Sequence, residues 1–154
     1  MSEITDERYA FGSTLRVEDP AVGKFFTKGL YTGLELTEKK NNWLVGSVPA
    51  PNIHEGWRIK AVKILYSIRG PYGSIDKIGI RNGHLDVYRF EGLTFGPNPN
   101  WQLQRLELPG PSSFAYGLGV TIHVDYPEIT GSTTSQPPTQ FLFTSIGLEF
   151  VKST

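Results

Sequence analysis

The fold of this chain is decided by one stretch, residues 74–90, which reads SIDKIGIRNGHLDVYRF. Apolar and polar side chains alternate both before and after the pair Asn82-Gly83. A type I′ turn needs positive φ at both central residues, and Asn-Gly is the pair that tolerates this best. The stretch therefore predicts a β-hairpin whose turn is centred on Asn82 and Gly83.

The same two-residue alternation recurs along the whole chain, and no stretch has the periodicity of an ordinary helix. The chain has 17 glycines and 11 prolines, which separate the alternating runs at short intervals as turns do. The further strands are predicted at residues 14–18, 25–36 (two pieces or one bulged strand), 43–48, 58–69, 101–108, 116–126 and 140–151. This spacing predicts an all-β fold, an antiparallel β-sandwich of jelly-roll-like type with eight or nine strands.

Two of the later strands carry more detailed expectations. In residues 101–108 the apolar residues change phase between Leu103 and Leu106, which predicts a β-bulge near residues 104–105. In residues 140–151 the alternation predicts one buried face, made of Leu142, Ile146, Leu148 and Phe150.

Length and cysteine content limit the domain organisation. A chain of 154 residues is one domain of ordinary size, so a single domain is predicted over 1–154. For residues 1–13 the sequence leaves open a strand, a short helical turn or an N-terminal arm. The chain has no cysteine, which excludes disulfides, thiolate metal sites and cysteine nucleophiles.

Charge and hydropathy narrow the partners. Lys plus Arg and Asp plus Glu are both 15, and the basic residues are scattered, which argues against nucleic acid as a partner. A net charge of zero makes self-association easy, so a homo-oligomer is one expectation. No apolar run approaches the roughly 20 residues of a membrane span. The N-terminus lacks a signal-peptide pattern, which predicts a cytoplasmic location and leaves unconventional secretion open.

Four stretches, taken in their order along the chain, resemble a family of small all-β bacterial proteins of unknown function. They are residues 42–51 (NWLVGSVPAP), 86–93 (DVYRFEGL), 117–122 (GLGVTI) and 143–150 (FTSIGLEF). The resemblance covers roughly residues 40–151. It implies a β fold, and it implies no activity because none is known for the family.

His123 and Asp125 are the sharpest candidates for metal chemistry. Residues i and i+2 of a strand point to one face, so an imidazole and a carboxylate can reach the same ion. The same spacing begins the two-histidine, one-carboxylate iron site, but that site needs a second histidine. Only His54 and His84 remain, both in predicted turns. The alternative is that His123 and Asp125 lie on the solvated face of a half-exposed strand.

Aromatic residues beside turns are the candidates for ligand binding. An aromatic ring next to amide side chains in a loop can stack on a sugar and hydrogen-bond its hydroxyls. The residues with this character are Trp57, Tyr72, Asn98, Asn100 and Trp101. The alternative is that the two tryptophans cap the open ends of the sandwich.

Together these patterns predict a non-catalytic binding or assembly module that contacts a carbohydrate or a protein through its end loops, without a cofactor. A metal-dependent or small-molecule enzyme centred on His123 and Asp125 is the alternative. A third hypothesis, a sandwich that holds an apolar small molecule, depends on a cavity that the sequence cannot reveal.

Overall fold

The structure is a computed structural model that describes residues 2–37, 39–130 and 136–154. These residues form eleven strands, arranged as two antiparallel sheets. None of the described helices is long and apolar enough to cross a membrane. The predicted antiparallel β-sandwich is therefore confirmed.

The strands of sheet A follow the order β3-β4-β11-β6-β9, and β1 pairs with the second half of β11. Their bounds are β1 Glu3–Phe11, β3 Lys24–Lys28, β4 Tyr31–Leu36, β6 Arg58–Arg69, β9 Asn98–Ser112 and β11 Thr139–Ser153. The strands of sheet B follow the order β2-β5-β10-β7-β8. Their bounds are β2 Arg16–Val17, β5 Lys40–Val48, β7 Ser74–Asn82, β8 Leu85–Phe90 and β10 Leu118–Tyr126.

The strand count exceeds the predicted eight or nine. The N-terminal segment is the strand β1, which pairs with β11 from Glu3 to Phe11. Of the two alternatives for residues 25–36, the structure has two strands, β3 and β4, and Gly29 takes φ +62° in the turn that joins them. The sequence also predicts a polar loop over residues 129–139, of which residues 131–135 lie outside the described residues.

The core lies between the two sheets and follows the alternation of the strands. Strand β10 shows this most clearly, because Val120, Ile122, Val124 and Tyr126 are all fully buried. The facing strand β11 contributes a row of buried side chains, namely Phe141, Phe143, Ile146, Leu148 and Phe150. A core of this kind stabilises the domain mainly by removing apolar surface from water.

The predicted face of β11 is wrong at one residue. The pairing of β11 with β6 shifts register between Phe143 and Ser145, so one extra residue, Thr144, interrupts the alternation. A bulge reverses the phase of the side chains that precede it. Leu142 therefore points away from the core that holds Ile146, although its neighbours on the outer face of sheet A still bury it.

The predicted bulge of β9 near residues 104–105 is also wrong. Pairing with β6 is regular from Gln102 to Glu107, and the register shifts lie near the two ends of the strand. The change of phase has another cause, because β9 carries apolar side chains on both faces. Leu103 is 63% exposed on the outer face, whereas Leu108 is buried.

The predicted hairpin is confirmed, but its turn lies one residue further along. Asn82 pairs with Leu85, so Gly83 and His84 are the two turn residues, and Gly83 takes φ +60°. Asn82 stays in the strand, and its side-chain oxygen accepts hydrogen bonds from the backbone N–H groups of residues 115 and 116, at 3.3 and 2.8 Å. The asparagine thus connects the hairpin to the segment before β10 instead of forming the turn.

A charged ladder crosses the outer face of sheet A through Glu7, Lys63, Glu149 and Arg105, which lie on four neighbouring strands. The Arg105 guanidinium donates two hydrogen bonds to Glu149, at 2.9 and 2.8 Å, and Lys63 donates one to Glu7 at 2.5 Å. Arg105 holds the pKa of the Glu149 carboxyl below its ordinary value, and Lys63 does the same for Glu7. Glu149 is only 7% exposed, so these partners, rather than water, stabilise its negative charge.

We predict that Arg105→Met lowers the free energy of unfolding at pH 7 by about 2 kcal/mol, because it leaves a buried carboxylate short of hydrogen bonds. A depressed carboxyl pKa stabilises the fold above the unfolded value, 4.5, and this contribution is lost as the pH falls below it. The difference between the variant and the parent protein should therefore shrink below pH 4.5.

Urea unfolding from pH 3 to pH 8 measures this difference. Arg8→Met is the matched control, since Arg8 forms an exposed ion pair with Asp6 at 2.7 Å. Its replacement should change the free energy of unfolding by less than about 0.5 kcal/mol. Equal losses for the two variants, or a loss that does not change with pH, would contradict the role of the ladder.

Candidate functional site

The outer face of sheet B carries a row of side chains that strand register places side by side. Trp43 on β5 lies opposite His123 on β10, which lies opposite Lys77 on β7. One step along, Val45 lies opposite Thr121, and Thr121 lies opposite Gly79. Because the alternate residues of β10 fill the core, these side chains must point outward.

Arg89 extends from the edge strand β8 across this row. It lies opposite Gly79 in the β7-β8 pairing, and its guanidinium carbon is 5.3 Å from the centre of the Trp43 ring. A side chain at Gly79 would place its Cβ 2.5 Å from the Thr121 hydroxyl oxygen. Gly79, which has no side chain, therefore leaves the surface of the sheet open between Arg89 on β8 and Trp43 on β5.

A groove results on this face. Its first section has a volume of about 440 Å³ and is lined by Glu18, Trp43, Val45, Arg81, Arg89 and Thr121. A second section of about 400 Å³ shares Val45 and Arg81 with the first and continues over the glycines at 83, 117 and 119. We call the two sections together the sheet B groove.

His123 supports Trp43 from within the sheet. Its Nδ1 is 2.5 Å from an Asp76 carboxylate oxygen, and its Nε2 is 3.3 Å from the Asn41 side-chain oxygen. Its ring centre lies 4.8 Å from that of Trp43, at an angle of 54°. His123 is only 7% exposed, so it is not the solvated strand residue that simple alternation predicts.

Asp125 lies next to this pair on the same face of β10. Burial, and then the neighbouring Asp76 carboxylate, raise the pKa of Asp125 above its ordinary value. Of the other histidines, His54 lies in an exposed 3-10 turn and His84 in the β7-β8 turn. Within residues 2–37, 39–130 and 136–154, no three His, Asp or Glu side chains come together as metal ligands.

Two of the residues predicted to bind a ligand lie at opposite ends of β6. Trp57 precedes the strand, donates a hydrogen bond to Glu55 at 3.2 Å and has the Lys152 ammonium 4.5 Å from its ring centre. Tyr72 follows the strand and packs edge-on against Tyr126, with ring centres 6.0 Å apart. A 12-residue strand is about 40 Å long, so Trp57 and Tyr72 do not line one site.

The other three predicted residues share the start of β9. Asn98 accepts a hydrogen bond from the backbone of Asn100 at 2.9 Å, and Trp101 is 40% exposed. The Trp101 ring lies edge-on to Tyr31 at 6.2 Å and has the Arg69 guanidinium carbon at 5.7 Å from its centre. This cluster belongs to sheet A and is separate from the sheet B groove, so the five predicted residues do not form one site.

Sequence reasoning missed Trp43 and Arg89 as members of one site. The signal for Trp43 was its outward phase in β5, where the buried residues Asn42 and Leu44 alternate with it. Nothing in the chain order indicates that β5 and β8 belong to one sheet with only β10 and β7 between them, and only the register of sheet B brings the two side chains together.

Comparison with known proteins gives similarity of fold. No family model matches the chain, and no curated protein matches it. Solved structures of carbohydrate-binding modules do match. A family 61 module in complex with β-1,4-galactotriose aligns at a TM-score of 0.54 and 13% identity, covering 90% of each chain.

Two further matches are point mutants of a family 29 carbohydrate-binding module. The one complexed with cellulohexaose has a TM-score of 0.54 and 12% identity, and covers 94% of this chain and 91% of its own. The one complexed with mannohexaose has a TM-score of 0.51 and 10% identity, and covers 95% and 92%. At these identities the likeness establishes the β-sandwich fold of the chain.

We predict that His123→Ala lowers the free energy of unfolding by about 1–2 kcal/mol, because it removes a buried hydrogen-bonded ring from beneath Trp43 and leaves Asp76 without that partner. His84→Ala is the matched control, since His84 is exposed and its loss should matter by less than about 0.5 kcal/mol. Thermal and chemical unfolding of both variants measure this. If His123→Ala is as mild as the control, His123 does not support the groove.

Proposed function

We propose that this protein is a non-catalytic carbohydrate-binding module that takes a glycan chain along the sheet B groove. The observation that carries the proposal is the partly buried Trp43, with His123 packed against it and the Arg89 guanidinium over its ring, in a groove on a sandwich of the kind that carbohydrate-binding modules use. The proposed ligand is a carbohydrate, one of the two partners that the sequence predicts. The proposed binding site is a sheet face, whereas the sequence predicted the end loops.

The side chains of the groove suit the two sides of a sugar. A pyranose ring presents C–H groups that pack on an aromatic ring, and it presents hydroxyls at its rim. Trp43 offers the aromatic surface, while Arg81, Arg89 and Glu18 offer donors and acceptors around it. A few convergent polar groups around an apolar surface are what fix the orientation of a small ligand.

The charges of the groove favour a neutral glycan. Its two arginines share one acidic neighbour, since Asp86 lies 3.3 Å from Arg81 and 3.5 Å from Arg89. Glu18 adds a negative charge to the lining. Because the positive charges are already paired, the groove lacks the unbalanced positive field that would recognise a sulfated or uronic acid polymer.

The shape of the groove favours a chain over a single sugar. The lining runs along β5 from Trp43 to Val48, which is about 17 Å at the ordinary rise of a strand. The glycines of its second section have no side chains, so a ligand can come close to the backbone there. We therefore propose an oligosaccharide segment as the ligand.

Calorimetric titration with galactotriose, cellulohexaose and mannohexaose tests the proposal. We predict that at least one of them binds, and that Trp43→Ala weakens binding by about 2 kcal/mol, roughly thirtyfold, as is typical when an aromatic anchor is removed. Thermal unfolding of the variant must show that it remains folded at the titration temperature.

Trp101→Ala is the matched control, because Trp101 is also a partly exposed strand tryptophan but belongs to sheet A. It should leave the affinity unchanged. Loss of binding in Trp101→Ala with full binding in Trp43→Ala would contradict the groove and favour the residues predicted from the turns. No binding of any glycan on a broad array would contradict the function itself.

A further inference from the structure

A second cavity, of about 600 Å³, opens at the edge of the sandwich beside β5. Its walls are almost entirely apolar and include Tyr9, Phe11, Leu30, Val48 and Pro49. Phe11 and Leu30 are each 57% exposed, and Tyr9 is 45% exposed. Contiguous exposed apolar side chains of this size mark a contact surface on a soluble domain. We call this cavity the apolar pocket.

The pocket exists because β2 is short. Strand β2 pairs with β5 only at Leu44 and Val45, so in the part of the chain that the structure describes no strand covers the same edge of β5 at Ser47 and Val48. The chain before β2 cannot fill the gap, because Gly12 packs directly on the backbone of β11. A Cβ at Gly12 would overlap the Phe143 carbonyl oxygen.

The apolar pocket is continuous with the sheet B groove. Ser47 and Val48 line both the pocket and the second section of the groove. A ligand that lies along the groove therefore reaches the pocket across Ser47 and Val48 of β5. The sheet B groove, whose polar side chains can bind sugar hydroxyls, therefore joins the apolar pocket. The volume of the pocket is in the range of small-molecule sites.

We propose that the apolar pocket is a subsite for an alkyl or aryl substituent carried by a bound glycan, so that the ligand of this protein is an amphiphilic glycoside. This inference rests on the proposed carbohydrate function. The sugar segment occupies the sheet B groove, and its apolar substituent is removed from water against Phe11 and Leu30. Each methylene that enters the pocket adds to the affinity, because burial of apolar surface is favourable.

The test compares ligands that differ only in the apolar group. Octyl β-cellotrioside, octyl β-mannotrioside and octyl β-galactotrioside, each below its micelle concentration, are titrated beside the corresponding free trisaccharides. We predict that one octyl glycoside binds at least tenfold more tightly than its free trisaccharide, which corresponds to about 1.4 kcal/mol.

The double variant Phe11→Ser/Leu30→Ser should remove this advantage and leave the affinity for the free trisaccharide unchanged. Both side chains are more than half exposed, so the variant should fold. Leu103→Ser is the matched control, because Leu103 is 63% exposed on sheet A, and it should change neither affinity.

Four outcomes would overturn the subsite. The first is equal affinity for an octyl glycoside and its free trisaccharide, and the second is an octyl advantage that survives in the double variant. The third is a loss of the octyl advantage in Leu103→Ser that equals the loss in the double variant. The fourth is a dimer, seen by sedimentation, that the double variant dissociates. The last would assign the pocket to a second copy of the chain. In the first two cases, binding of a free trisaccharide would leave the proposed function standing. If no octyl glycoside and no glycan on the broad array binds, both proposals are contradicted.

Discussion

The groove depends on the pairing of β10 between β5 and β7. One face of β10 supplies the core, with Val120, Ile122 and Val124 fully buried. The other face supplies the floor of the groove, with Thr121 and His123 in the same pairing register. Because side chains alternate along a strand, a slip of one residue would exchange the two sets and lose both at once. Packing of the core thus fixes the position of the groove residues.

The two outer faces of the sandwich are used differently. On sheet A, the charged ladder from Glu7 on β1 to Arg105 on β9 crosses four strands, and its charged side chains pair with one another. On sheet B, Gly79 leaves space over the middle of the sheet, and Arg89 crosses that space to reach Trp43. A polar network whose members are all paired stabilises a sheet. A concave surface bordered by aromatic and charged side chains has the features of a ligand site.

Much of the fold could be predicted from local sequence. The strand at 58–69 and the hairpin at 74–90 follow from alternation and from turn chemistry, which act over a few residues. The errors came from contacts between distant segments. Asn82 stays in its strand because it bonds to residues 115 and 116, and Leu142 faces outward because the register of β11 shifts near Thr144.

The candidate site was much less predictable than the fold. Trp57, Tyr72 and Trp101 each stand beside a turn, but turns at both ends of a sandwich look alike in a sequence. Trp43 was placed on a strand, and its partner Arg89 lies 46 residues later, by the difference of their numbers. The order of strands in sheet B joins them, and that order is set by the whole core rather than by either segment.

The three tryptophans give the most direct test of where a glycan binds, because they lie in three separate places: Trp43 in the groove, Trp57 before β6 and Trp101 on sheet A. Their indole N–H groups give three separate signals in a nitrogen-15 NMR spectrum of the unmodified protein. During titration with the oligosaccharide that binds, the signal of Trp43 should move and those of Trp57 and Trp101 should stay. Movement of Trp57 or Trp101 with Trp43 unchanged would contradict the assignment of the groove.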